Sequence, residues 1–189
     1  MAFTAADVKA LREATGAGML ECKKALTECD GNINDAAKLL KEKGLAAAAK
    51  RADRATAEGR LFIRNEGNKI YVLELTCETD FVANNSDFIA LGEKMLDVTI
   101  SKGYTKVEDE HNSMLEDLKV SIRENMNVSK VEVIDVPAGA IGSFYIHSDN
   151  KTGSVVVING SDADLVKTFA YDCCLHIAAF TPAYASQKE

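Results

Sequence analysis

Thr76-Cys77-Glu78-Thr79-Asp80-Phe81-Val82-Ala83-Asn84-Asn85 is the stretch on which the fold turns. It follows the most strand-like run in the chain, Lys69 to Leu75, and precedes a run of helical spacing from about Ser86. Asp80, Asn84, Asn85 and Ser86 are cap and turn formers, so the segment reads as a tight strand-to-helix corner. Phe81-Val82 then falls where the chain turns, among polar residues. Two readings stand at this point. Phe81 folds back on the core as a staple for the next helix, or it is a rigid apolar anchor presented to a partner's pocket.

Upstream of the corner, Leu61 to Arg64, the turn Asn65-Glu66-Gly67-Asn68 and Lys69 to Cys77 predict an antiparallel hairpin. Tyr71, Leu73, Leu75 and Cys77 alternate onto one face. Downstream, Phe88, Leu91, Met95 and Val98 share the face of a helix from Ser86 to about Lys102, which Gly103 stops. A second helix, roughly Asp109 to Asn125, buries Leu115, Leu118 and Ile122. A strand from about Val128 to Val136 ends at Pro137-Ala138-Gly139.

Residues 4–44 read as three short helices. Thr4 caps the first with Asp7 three residues on, and Val8, Leu11 and Ala14 form its apolar stripe. Gly16-Ala17-Gly18 breaks the chain before a second helix, Met19 to Glu28, with Leu20, Cys22 and Leu26 expected inside. Asp30-Gly31-Asn32 leads into a third, which points Ile33, Ala36, Ala37 and Leu40 inward and closes at Gly44. Leu45 to Glu58 is rich in alanine, with Lys50, Arg51 and Arg54, and suggests a connecting helix up to Gly59.

The hairpin pattern recurs. Gly59-Arg-Leu-Phe-Ile-Arg, a polar turn and Ile70 to Thr76 match Gly142-Ser-Phe-Tyr-Ile-His, a polar turn and Ser154 to Asn159. Each copy continues into a helix, Asp80 onward in the first and Ser161 to Phe180 in the second. Such a recurrence implies two hairpin-plus-helix units. The second copy lacks the further helix and closing strand of the first, as in a C-terminally short or truncated form. Its open strand edge would invite a second copy of the chain, a homodimer.

The expected class is therefore α+β. Residues 1–45 form a three-helix domain and 46–58 a connecting helix. Residues 59–140 form an antiparallel-sheet-plus-helices core of hairpin, corner, two helices and strand. Residues 141–189 form a partial second copy, a hairpin plus helix.

A net charge of −7 argues against nucleic acid as the principal partner, since phosphate neutralisation needs clustered Lys and Arg. The local basic patch of Lys50, Arg51, Arg54 and Arg60 reads as a solvated helix face. No apolar run approaches a membrane span, and the N-terminus shows no secretory pattern, so a cytoplasmic protein is expected. The cysteines (Cys22, Cys29, Cys77, Cys173, Cys174) are odd in number and lack C-x-x-C spacing, which speaks against a disulfide framework or a structural zinc site. Cys173-Cys174 sits in an apolar helical pattern and packs as small hydrophobes, with an intermolecular disulfide the alternative on oxidation.

No phosphate loop, dinucleotide glycine pattern, nucleophile elbow or metal-helix motif occurs. His111, His147 and His176 lie in separate segments and read as structural or surface residues. With no catalytic residues, cofactor or metal site indicated, a binding protein is favoured over an enzyme.

Three stretches together resemble the elongation factor Ts family. They are Leu11-Arg-Glu-Ala-Thr-Gly-Ala-Gly-Met-Leu-Glu-Cys-Lys-Lys-Ala-Leu26, Cys77-Glu-Thr-Asp-Phe-Val-Ala83 and Leu175-His-Ile-Ala-Ala179. The resemblance implies that the first domain is ubiquitin-associated-like. It also implies a guanine-nucleotide exchange factor of translation elongation whose partner is elongation factor Tu. Thr79-Asp80-Phe81-Val82 coincides with the family's exchange motif, whose Asp-Phe pair enters the partner's GTPase domain and disturbs its Mg²⁺ surroundings. Cys22, Lys23 and His147 coincide with contact residues. Ile122-Arg123-Glu124-Asn125 matches a contact stretch that usually reads Ile-Gly-Glu-Asn, so Arg123 departs from the pattern. The alternative to exchange is an adaptor that binds another protein through the three-helix domain.

Overall fold

The structure is a computed structural model that describes residues 3–184. The chain divides into two compact units. The first runs through Ala55 and takes back Ser113–Met126; the second holds Thr56–Asn112 and resumes at Asn127.

In the first unit, α1 (Ala5–Thr15), α2 (Met19–Glu28) and α3 (Ile33–Ala49) pack around Leu11, Cys22, Ala25, Leu26 and Ala36. Thr4 and Asp7 form the expected capping box: Asp7 N–H donates to Thr4 Oγ1 at 3.3 Å and Thr4 N–H to Asp7 Oδ2 at 2.7 Å. Gly16 ends α1 at φ 66°, and Asn32 caps α3 by accepting the Asn34 and Asp35 amides. Three expected apolar positions are outside: Ala14 is exposed in the last turn of α1, Leu20 is 66% exposed, and Ile33 is exposed at the first residue of α3. All three sit in a terminal helical turn, where helical spacing alone does not say which side the bundle covers.

The connecting helix expected over 46–58 does not form. Gly44 does not stop α3, which runs on through the alanines to Ala49; from Lys50 the chain turns, with Arg51, Ala52 and Arg54 amides bonding three residues back. Gly44 is instead a packing position. A Cβ there would lie 2.5 Å from Val120 Cγ1 on α6 (Asp109–Ile122). The C-terminal half of α6 belongs to this unit and not, as expected, to the core. Lys41 pairs with Asp117 at 2.9 Å, and Arg51 donates to the Lys119 carbonyl at 3.1 Å. The buried Asn125 side chain donates to the Ala52 and Arg54 carbonyls at 3.0 and 2.7 Å, which fixes the turns where a helix was expected.

The second unit is layered. Strands β1 (Glu58–Glu66) and β2 (Lys69–Cys77) form the expected hairpin, paired from Glu58↔Cys77 to Glu66↔Lys69. The turn is tighter than the expected four residues because Gly67 takes φ 60°. β3 (Met126–Asp135) completes the sheet beside β2. Lys69–Asp135 and Glu74–Ser129 side-chain pairs run in opposite order along β2 and β3, as antiparallel strands require.

Helix α5 (Ser86–Lys102) covers one sheet face. Gly92 lies under Phe62, and Arg64 pairs with Glu93 and Asp97 at 2.8 and 2.5 Å. The register puts Leu73 opposite Phe62 on this face, with Tyr71, Leu75 and Cys77 by alternation. The other face is covered too. A second antiparallel hairpin, β4 (Ile141–Ile146) and β5 (Gly153–Ile158), approaches closely there, with Gly142 against Ile70 and Gly153 against Leu61 and Ile63. Ile70 and Val72 are therefore buried as well, and β2 is a two-sided core strand. Helix α7 (Asp164–Phe180) packs on the far side of this hairpin, where Ser154 Oγ donates to the Cys174 carbonyl at 2.8 Å.

Candidate functional site

The corner begins at the end of β2. The Cys77 thiol is fully buried and donates to the Thr79 carbonyl at 3.2 Å. Thr79 has extended backbone and caps a single turn of helix, α4 (Asp80–Ala83), its Oγ1 accepting the Val82 amide at 3.4 Å. Asp80 Oδ1 accepts the Phe81 amide at 3.0 Å, and the Asp80 carbonyl accepts both the amide and the side chain of Asn84. Asn85 then caps α5 through the Asp87 and Phe88 amides. Thr, Asp and Asn in this order satisfy the donors that two abutting helix starts leave open.

Side chains on that turn go opposite ways. Val82 and Ala83 are 7% and 6% exposed, seated on β1, β2 and α5, whereas Phe81 is 84% exposed. Phe81 does not fold back as a staple; Val82 anchors the turn. A phenyl ring in water, held on a turn capped by the Thr79 hydroxyl and the Asp80 carboxylate, is a low-entropy contact surface.

The β4–β5 turn lies at the same end of the unit. His147 N–H donates to the Thr152 carbonyl at 2.8 Å, and the Asn150 carbonyl accepts the Leu61 amide of β1 at 2.8 Å. Asp149 accepts the Lys151 and Thr152 amides and the Thr152 hydroxyl, which hold its carboxyl below the usual carboxylate range, the Thr152 amide foremost. Lys151 bonds Glu58 at 2.9 Å, and Glu58 is the ladder partner of Cys77, two residues before Thr79. The Lys151 ammonium is held charged above its ordinary range by Glu58 first and by Asp80 among the weaker causes, so the turn feels the charge on the corner. His147 is exposed, with its Nδ1 3.1 Å from the Tyr145 hydroxyl.

The remaining candidates fall in the first unit. Cys22 is fully buried with its thiol against the Ala17 carbonyl, while Lys23 is exposed beside it. Ile122 is half-buried and Arg123 exposed at the end of α6. What brings these two stretches together is Glu21, which the sequence reading did not single out: its Oε2 receives Arg123 Nη2 at 2.5 Å and the Gly18 amide at 3.1 Å. Met19 and Leu20, 64% and 66% exposed, add apolar surface at the start of α2.

Among the described residues no cluster of His, Cys, Asp and Glu could hold a metal ion, and no helix is long and apolar enough to cross a membrane. The arrangement has the materials of a contact surface. It has an exposed aromatic, exposed charges and turns capped by their own side chains.

The family model described as Elongation factor TS matches residues 78–189. Elongation factor Ts of Treponema denticola is 50% identical over 196 residues, covering 100% of this chain and 69% of its own. Elongation factor Ts of Treponema pallidum is 42% identical over 205 residues, covering 100% and 71%. That of Idiomarina loihiensis is 39% identical over 198 residues, covering 100% and 65%.

Proposed function

The chain belongs to the elongation factor Ts family, and on that premise we propose that it is the guanine-nucleotide exchange factor of elongation factor Tu, acting through Thr79, Asp80, Phe81 and Val82. The observation that carries this reading is the 84% exposure of Phe81 on a capped turn anchored by Val82.

A GTPase holds GDP through amide donors around the phosphates and through Mg²⁺. A factor that binds the nucleotide-free state more tightly weakens GDP binding by the same factor, because coupling is reciprocal. Phe81 supplies such a preference when its ring fits the partner only after the metal surroundings have shifted. Asp80 brings a carboxylate to a site that must keep cation and phosphate in register. Val82 and Thr79 hold the ring outward, so little ordering entropy is lost on contact. GTP, in excess, refills the emptied site. No covalent step is required of this chain.

The β4–β5 turn with His147 extends this surface, and the first unit, whose three helices are the ubiquitin-associated-like module, offers Lys23 of α2 and Ile122 of α6 as contacts of its own. Since Cys22 is buried, a partner meets Lys23 and not the thiol. The two hairpin-plus-helix units, β1–β2 with α4 and α5 and β4–β5 with α7, act as repeated scaffolds for the two turns.

Release of fluorescent GDP from elongation factor Tu tests the reading. The chain should accelerate release, and Phe81→Ala should cost at least about 2 kcal/mol, roughly thirtyfold. Acceleration untouched by that substitution would move the site elsewhere; no interaction with the GTPase would end the proposal.

A further inference from the structure

Arg123 is a conformational oddity. It ends α6 at φ 69°, in the left-handed region that favours glycine, with its amide bonded to the Lys119 carbonyl at 3.2 Å. A long side chain there strains the backbone, so what the side chain does bears explaining. It reaches Glu21 at 2.5 Å. Glu21 is the third residue of α2, whose N-cap is Gly18 and has no side chain to satisfy the helix start. The Glu21 carboxylate supplies the other half of a capping box, accepting the Gly18 amide, and is held below its ordinary range by that bond first and by Arg123 next. A second contact joins the same parts: a Cβ built on Gly16 would sit 3.7 Å from Ser121 Cβ.

We infer that the Glu21–Arg123 pair is a positioning element for partner binding. It locks the first turn of α2 to the end of α6, so that exposed Met19, Leu20 and Lys23 and half-buried Ile122 meet the partner as one preformed surface. This rests on the exchange-factor reading. The surface suits a protein patch of apolar character that carries a carboxylate for Lys23. Glycine at position 123 would relax the backbone and remove the lock; arginine keeps both the strain and the lock. Arg123 thereby acts through Glu21, not by touching the GTPase.

A double-mutant cycle on GDP release from elongation factor Tu tests this, with Glu21→Gln (which keeps an acceptor for the Gly18 amide), Arg123→Gln and both together. Each single substitution should raise the half-maximal concentration by about two- to fivefold, the size an exposed ion pair supports, with the maximal rate retained. The double variant should be no worse than either single one. High salt, about 0.5 M, should shrink the gap between the unsubstituted chain and Glu21→Gln. Additive losses, or loss with Arg123→Gln alone, would make Arg123 a direct contact and overturn the inference. So would lowered thermal midpoints with unmoved half-maximal concentrations, which mark a purely structural pair. Phe81→Ala run alongside separates the two proposals, since it should lower the maximal rate. If the chain binds the GTPase without speeding release, the exchange reading fails and the cycle is read on affinity. No binding at all overturns both.

Discussion

Thr99 and His111 share a hydrogen bond of 3.0 Å, and neither side chain reaches solvent. Thr99 Oγ1 donates its proton to the Met95 carbonyl at 2.8 Å, so its oxygen accepts from His111 Nε2–H. Nδ1 in turn accepts the Glu108 amide at 3.0 Å, and Tyr104 packs edge-on against the ring. Both nitrogens are thus committed in the neutral form, and a second ring proton would oppose the Glu108 N–H.

Acid should therefore loosen the α5–α6 corner. Burial lowers the proton affinity of His111 from its ordinary 6.5, and the nearby Glu110 and Glu108 carboxylates offset this only in part. With the folded value depressed, the unfolded chain binds more protons below 6.5. The stabilisation is complete above that pH and is lost as pH falls from there towards the folded value. Asp7, Glu21, Glu110 and Asp149 are lowered carboxylates, whose contributions persist until pH drops below 4.5 and 3.8, their ordinary values. Urea midpoints should be level from about pH 8 to 6.5 and decline towards pH 5. His111→Gln should flatten that decline. A midpoint unchanged between pH 6.5 and 5 would show that His111 titrates as if exposed.

Gly92 is a contact position and its replacement should be costly. A Cβ there would lie 2.0 Å from Phe62 Cζ, and Phe62 is 3% exposed between α5 and the sheet. Gly92→Ala should lower stability by about 2 kcal/mol through overpacking, despite the higher helix propensity of alanine. Adding Phe62→Leu should recover part of the loss, because the smaller side chain vacates the clash. Chemical denaturation of the single and double variants reads this directly. A neutral Gly92→Ala would mean that α5 can slide off β1 at little cost.

Thr79 should matter more to exchange than to stability. Loss of its cap costs about 1 kcal/mol, and α4 is only four residues long, so the loss falls on the turn that carries Phe81. Thr79→Ala should slow GDP release severalfold while the unfolding midpoint moves little, and Thr79→Ser should restore release. Equal losses in both variants would point to the Thr79 methyl and not its hydroxyl.

Much of this was legible beforehand because local chemistry decides it. The Thr4–Asp7 box, the Asn85 cap and the Gly103 stop follow from side chains that bond their own backbone. The hairpins follow from alternation and a glycine able to take positive φ. Whether Phe81 packs or protrudes was not legible: the same Phe-Val pair satisfies both, and only the seating of Val82 on β1 and β2 decides it. Gly44 misled because a glycine that stops a helix and one that admits a neighbour look alike in sequence; Val120 lies 76 positions on and makes the difference. For the same reason the apolar spacing of α6 announced a buried face without saying that its second half packs with α1 to α3. Met19 and Leu20, apolar and exposed, belong to this class, as does Glu21, whose partner lies 102 residues away.

Cysteine reactivity should report on the corner itself. None of the five cysteines is in a disulfide; Cys22, Cys77 and Cys174 are fully buried, while Cys29 and Cys173 are partly accessible. Burial also pushes the Cys174 thiol up, which lowers its thiolate fraction further. Under native conditions near pH 8, iodoacetamide should modify Cys29 and Cys173 first, with Cys22, Cys77 and Cys174 modified only as fast as their surroundings open. In urea all five should react alike. Cys77 is the informative one, since its thiol donates to the Thr79 carbonyl at the foot of α4. Thr79→Ala should speed Cys77 labelling without changing Cys22, as read by peptide mass spectrometry. Labelling of Cys77 as fast as that of Cys29 in the unsubstituted chain would mean the corner opens freely, and Phe81 would then not be held in place before its partner arrives.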